Sequence, residues 1–87
     1  MLGLTLTTHA VQRSRRRGIG PAAIAAALDF GTHRSIRGVD VYTLGWRDID
    51  RCALSGLDLS RYQSIEVVCA HSGAILTVYR KRRRGRR

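Results

Sequence analysis

The chain has 87 residues, 44% of them apolar, with 16 basic against 6 acidic side chains and a formal charge of +10. That length supports one compact domain with a modest core, and the apolar content is too high for a disordered tail. The longest apolar run, Ala22 to Leu28, is too short to span a bilayer, and no signal-peptide pattern precedes Arg13, so a cytoplasmic protein with no membrane partner is expected.

In chain order, Leu2, Leu4 and Leu6 alternate with Gly3, Thr5 and Thr7, the period of a half-buried strand. Thr7 and Thr8 offer an N-cap hydroxyl to a helix over His9–Arg17, which Gly18 ends as a C′ residue. Gly20-Pro21 opens a second helix running to Phe30, with proline at its first position, Ile24, Ala27 and Leu28 on one face, and Gly31 closing it. Gly38 precedes a strand with Val39, Val41 and Thr43 on one face and Tyr42 and Leu44 on the other. Residues 46–62 read as a short helix or an ordered loop, with Ile49, Cys52 and Ala53 at helical spacing before Ser55-Gly56. Ile65–Ala70 and Ala74–Arg80 form a hairpin through His71-Ser72-Gly73. The order β-α-α-β-(α)-β-β predicts an α+β domain over residues 1–80, helices on one face of a largely antiparallel sheet, followed by a basic tail over 81–87.

Fifteen of the sixteen basic residues are arginine, and seven basic residues fall within 80–87. Positions 1–79 then hold nine basic and six acidic residues, a net of +3. A densely negative partner follows, and nucleic acid comes first, because the guanidinium fork matches phosphate. In the tail, Lys81, Arg82, Arg83, Arg84, Arg86 and Arg87 read either as an anchor for phosphate backbone or as a solvated extension. Cys52 and Cys69 lack metal or redox spacing and sit in apolar surroundings, which marks them as buried thiols. His33 and His71 lie in loop-like surroundings without metal-ligand spacing to His9. No P-loop, dinucleotide fingerprint or nucleophile elbow occurs, so no metal or cofactor is expected.

Two clusters point to chemistry. On a helix, His9 and Arg13 are four apart, as are Arg13 and Arg17, with Arg16 beside them. Metal-independent RNA cleavage needs an acceptor for the 2′-OH proton, cations for the phosphorane and a donor to the leaving oxygen. His9 is a candidate acceptor there, or a residue making a structural hydrogen bond at the helix start. On the hairpin, a two-residue Ser72-Gly73 turn sets His71 against Ala74, Val68 against Thr77, and Glu66, the chain's one glutamate, against Tyr79. Cys69, Val67 and Ile65 then share a face with Leu76, Val78 and Arg80. Glu66 is the alternative acceptor, or half of an exposed cross-strand pair. A three-residue turn would shift the register and break that pairing. Arg13 and Arg80 are the candidate cations, Tyr79 the donor or a stacking platform. Tyr42, Tyr62 and Trp46 are further aromatic surfaces for bases or for the core.

The stretch His9-Ala10-Val11-Gln12-Arg13-Ser14-Arg15-Arg16-Arg17-Gly18-Ile19 fits H-A-x-x-R-x-x-x-R-G-I, and Ile75-Leu76-Thr77-Val78-Tyr79-Arg80 resembles an I-x-T-V-x-R ending. Together they resemble a small bacterial domain family placed near the BrnT and RelE-like toxins of type II toxin–antitoxin systems. That resemblance covers both ends of the chain and little of residues 32–64. It implies a RelE-like α+β fold, metal-independent endoribonuclease activity and an acidic antitoxin partner. It also implies an RNA site near the last strand, where Tyr79, Arg80 and Lys81 are the matching positions. The alternative is a non-catalytic nucleic-acid-binding module using the same arginines.

Overall fold

The computed structural model describes residues 5–81. They form helices α1 (Thr8–Arg17), α2 (Pro21–Phe30) and α3 (Trp46–Leu54), a 3-10 turn at Ser60–Tyr62, and strands β1 (Thr32–Ile36), β2 (Val39–Leu44), β3 (Ile65–Ala70) and β4 (Ile75–Arg80). The strands make one antiparallel sheet in the order β1-β2-β3-β4. The fold is α+β as expected. No helix among the described residues is long and apolar enough to cross a membrane.

Local chemistry sets the element ends. The Thr7 hydroxyl accepts the Ala10 N–H at 3.2 Å, so Thr7 caps α1. Gly18 takes the left-handed conformation at φ 64°, and Ile19 N–H reaches back to Ser14 C=O at 2.9 Å while its side chain plugs the core. At the other end of α2, a methyl group on Gly31 would stand 2.5 Å from Ala27 O and 2.9 Å from Thr43 O, so only glycine lets the chain turn this close to β2. In α3, Asp48 accepts the Gly45 N–H at 2.9 Å across the first turn.

One face of the sheet carries Leu44, Ile65, Val67, Cys69, Ile75 and Val78 into a single buried cluster. All three helices bury against it: α1 through Ala10, α2 through Ala23, Ile24, Ala26 and Ala27, and α3 through Cys52. The alanines of α2 keep its axis close to β2 and β3. Both cysteines are buried and free, as expected. Burial, and then the charge of Asp40, push the Cys69 thiol up, so it stays protonated and unreactive.

Three expectations need correction. Of the strand expected over Leu2–Thr7, residues 2–4 lie outside the described part. The remainder makes a single parallel bridge, Leu6 to Ile75, along the outer edge of β4, with Thr7 N–H on Ile75 O at 3.0 Å and Ile75 N–H on Thr5 O at 2.8 Å. Next, His33 lies in a strand rather than a loop: β1 pairs with β2 through the two-residue turn Arg37-Gly38, both residues at positive φ. The hairpin turn, finally, has three residues, because Ala70 N–H bonds Ala74 O at 2.9 Å, so Ala70 and not His71 faces Ala74. Yet Glu66 still opposes Tyr79 and Val68 still opposes Thr77. A bulge between Val68 and Cys69 absorbs the extra residue, and it turns Ile75, rather than Leu76, into the core.

Candidate nucleic-acid interface

Successive strand residues point to opposite faces, so the face away from the core cluster carries a transverse row: Thr32, Thr43, Glu66 and Tyr79. Arg34 sits one step along on the same face. Glu66 is 4% exposed and fully engaged. Its Oε1 accepts the Tyr79 hydroxyl at 2.5 Å, and its Oε2 accepts the Thr43 hydroxyl at 2.5 Å and the Arg34 guanidinium at 3.4 Å. It is therefore a buried, three-partner carboxylate and not an exposed cross-strand pair. The hydrogen bond to Glu66, with burial behind it, pushes the Tyr79 phenol up to about 12, against the opposing pull of Arg34 and Arg17. Tyr79 thus stays protonated at neutral pH and acts as a donor.

Arg17 closes the row at the β4 edge. Its guanidinium donates to Val78 O at 3.0 Å and lies 6.0 Å from the Tyr79 ring centre. At the other end, Thr32 donates to Asp48 at 3.0 Å, and Asp48 pairs with Arg51 at 2.9 Å. Hydrogen bonds from Gly45, Arg51 and Thr32 outweigh burial and hold the Asp48 carboxyl below its usual range. This second end opens on a groove of about 240 Å³ bordered by Arg34, Thr43, Trp46, Arg47, Asp48 and Lys81. Trp46 is 56% exposed, and the Arg47 guanidinium lies 5.3 Å from its ring centre.

The residues singled out from the sequence are therefore brought together in part. Tyr79, Glu66, Arg17 and Lys81 share one face, whereas Arg80 points to the other. It pairs with Ile65 and lines a hollow with Arg61, Tyr62 and the Gly18–Gly20 turn. His9 and Arg13 do meet, the Arg13 Nε donating to His9 Nε2 at 3.3 Å. They sit about two turns and one turn up α1 from Arg17, and His9 is offset from it by about 12 Å at 1.5 Å per residue. Thr7, not His9, provides the cap. Arg16 is exposed on the same helix. Arg82, Arg83, Arg84, Arg86 and Arg87 lie outside the described residues.

Of the groove residues, Trp46 was expected as an aromatic surface for bases or for the core and stands exposed at the rim. Arg34 and Arg47 were not legible as site residues, since β1 shows no apolar alternation and residues 46–62 no clear element, and Thr43 was placed only on a strand face. A third grouping also escaped sequence reading. His33 Nε2 and His71 Nδ1 contact the two oxygens of Asp40 at 2.8 and 3.1 Å, and His33 stacks on Tyr42 with ring centres 4.9 Å apart. His33 first and His71 second hold the Asp40 carboxyl below its usual range. Among the described residues no group of histidine, cysteine and acidic side chains has the geometry to hold a metal ion. Comparison with protein-family models, with curated proteins and with solved structures finds no match.

Proposed function

We propose that this protein binds RNA on the polar face of its sheet, with Tyr79 at the centre of the surface and the arginine-rich tail as a second, sequence-independent anchor. The observation that carries this reading is the row itself. A half-buried tyrosine is held by Glu66 between two guanidiniums, Arg17 and Arg34, and Arg34 and Thr43, which also bond Glu66, border a groove with Arg47, Lys81 and Trp46. Cations beside aromatic planes suit a phosphate backbone and the bases next to it. Binding of a labelled RNA followed by anisotropy tests it. Tyr79→Ala and Arg34→Ala should each weaken binding several-fold when measured below the melting transition of each variant, which circular dichroism locates. Truncation after Lys81 should reduce the salt slope by about 0.7–0.9 for each phosphate that the tail neutralises in the intact protein. Unchanged binding in all three would refute the reading.

A specific observation favours a second reading, a toxin-like metal-independent ribonuclease restrained by an acidic partner. A protonated phenol flanked by two guanidiniums is what a departing 5′-oxygen and a charged phosphorane require. The difficulty lies with the base: Glu66 already accepts three donors, and His9 sits about 12 Å along α1 from Arg17, the residue of that helix that reaches the Tyr79 ring. RNA incubated in EDTA decides between the two. Fragments ending in 2′,3′-cyclic phosphate, absent with Tyr79→Phe, support cleavage; retardation without fragments supports binding alone.

A further inference from the structure

We infer that the groove beside Trp46 is a subsite for one unpaired nucleotide, its base stacked on the indole and its phosphate between Arg34 and Lys81, so that the ligand of this face is single-stranded. This rests on the RNA-binding reading and narrows it. Three observations meet here. The first is exposure: Trp46 opens α3 at the groove rim and is 56% exposed, although its ring is the largest apolar surface in the chain. A duplex hides its base faces, so an exposed indole gains from stacking only where bases are free.

The second is charge. The groove and its walls hold Arg34, Arg47, Lys81 and Arg51 against the two buried carboxylates Asp48 and Glu66. Both carboxylates are spent internally, Asp48 on Gly45, Thr32 and Arg51, and Glu66 on Tyr79, Thr43 and Arg34. The surplus is positive and faces outward, because Arg34 is 49% exposed and Lys81 is exposed. The third is size. About 240 Å³ lies below the roughly 300–1,000 Å³ of a pocket for a whole small ligand, and suits one unit of a chain that continues along the face toward Tyr79.

Trp46 is the chain's one tryptophan, which makes the test direct. The full-length protein is titrated at fixed salt with a ten-nucleotide single-stranded RNA, with single-stranded DNA of matching sequence and with the corresponding RNA duplex, while Trp46 fluorescence is followed. Quenching by the single strands and little by the duplex is expected. In anisotropy assays, Trp46→Leu should lose about tenfold in affinity for the single strands and little for the duplex. Trp46→Tyr should recover most of that loss, and circular dichroism reports the fold of both variants. RNA preferred over DNA would assign part of the recognition to the 2′-OH; equal affinity would place it on base and phosphate, and either result supports the subsite. Equal quenching by single strand and duplex, or undiminished single-strand affinity in Trp46→Leu, overturns the subsite while leaving RNA binding intact. Absence of binding to all three ligands overturns the RNA-binding reading and the subsite with it.

Discussion

Tyr79→Phe isolates the energetic link at the centre of the polar face, because it removes one oxygen and keeps the ring. Glu66 Oε1 then loses its donor at a site 4% exposed to solvent. Leaving a buried acceptor unmet costs about 1–3 kcal/mol, and bonds to charged groups fall in the upper part of that range. The phenol's own titration gives a second measure. A rise from 10.0 to about 12 corresponds to at most about 2.7 kcal/mol of differential interaction, and solvent screening of the half-buried phenol lowers that into the range of the first. The folded pKa is raised, so this contribution is complete below the unfolded value near 10 and is lost as pH climbs through 12. For a domain of this size each kcal/mol moves Tm by roughly 4–8 °C, so calorimetry at pH 7 should find Tyr79→Phe lower by on the order of 5–20 °C. Glu66→Gln should destabilise as well, since its amide sets a donor against Thr43 or Tyr79. The double variant should cost less than the sum, with coupling of about 1 kcal/mol or more. A Tm for Tyr79→Phe within about 2 °C of the parent, or strict additivity, would refute the buried-carboxylate account.

Other outcomes follow from single sites. Gly31→Ala forces a methyl against the backbone oxygens of Ala27 and Thr43 and should cost about 1–3 kcal/mol, read as a lower urea midpoint. Val67→Asp and Val78→Asp, both 0% exposed in the parent, each bury an unpaired carboxylate and should abolish cooperative melting; soluble, cooperatively melting protein from both would overturn the face assignment. Asp40 has a depressed folded pKa, so its contribution is present above the unfolded value of 3.8 and is lost as pH falls through the lower folded one. Acid titrations of Asp40→Asn should accordingly lack the part of the stability loss that the parent shows below about pH 4.

The legible parts of the fold were those with local chemistry. Thr7, Gly18, Pro21 and Gly31 bound two helices at or within a residue of their expected ends. The hairpin strands announced themselves by β-branched residues on both sides of Gly73. β1 was invisible for a physical reason. Thr32-His33-Arg34-Ser35-Ile36 is an edge strand exposed along its whole length, so burial imposes no alternation on it. What creates it is a turn: Arg37-Gly38 accepts positive φ at both positions and folds the polar segment back on β2. The Glu66–Tyr79 pair was readable from the register alone, but its depth was not. Burial of Glu66 depends on Thr43 and Arg34, which approach from strands far off in sequence.

The register of β4 ties the stability of the domain to its polar face. A three-residue loop leaves Cys69 opposite Ile75, and with regular pairing from there Glu66 would meet Val78 while Thr77 entered the core opposite Val67. The bulge at Leu76 advances the strand by one residue. Val78 then fills the core against Val67, and Tyr79 comes to lie against Glu66. Thr5 and Thr7 bond Ile75 on its outer edge, and the Thr7 hydroxyl reaches Leu76 O at 3.4 Å, so the segment that caps α1 also holds the bulged strand in place. Core packing selects this register, because the alternative buries a threonine hydroxyl and expels an aliphatic side chain. The same selection sets the phenol beside the carboxylate. The polar face is therefore positioned by the hydrophobic one, and Arg17, anchored on Val78 O at the strand edge, arrives over Tyr79 for the same reason.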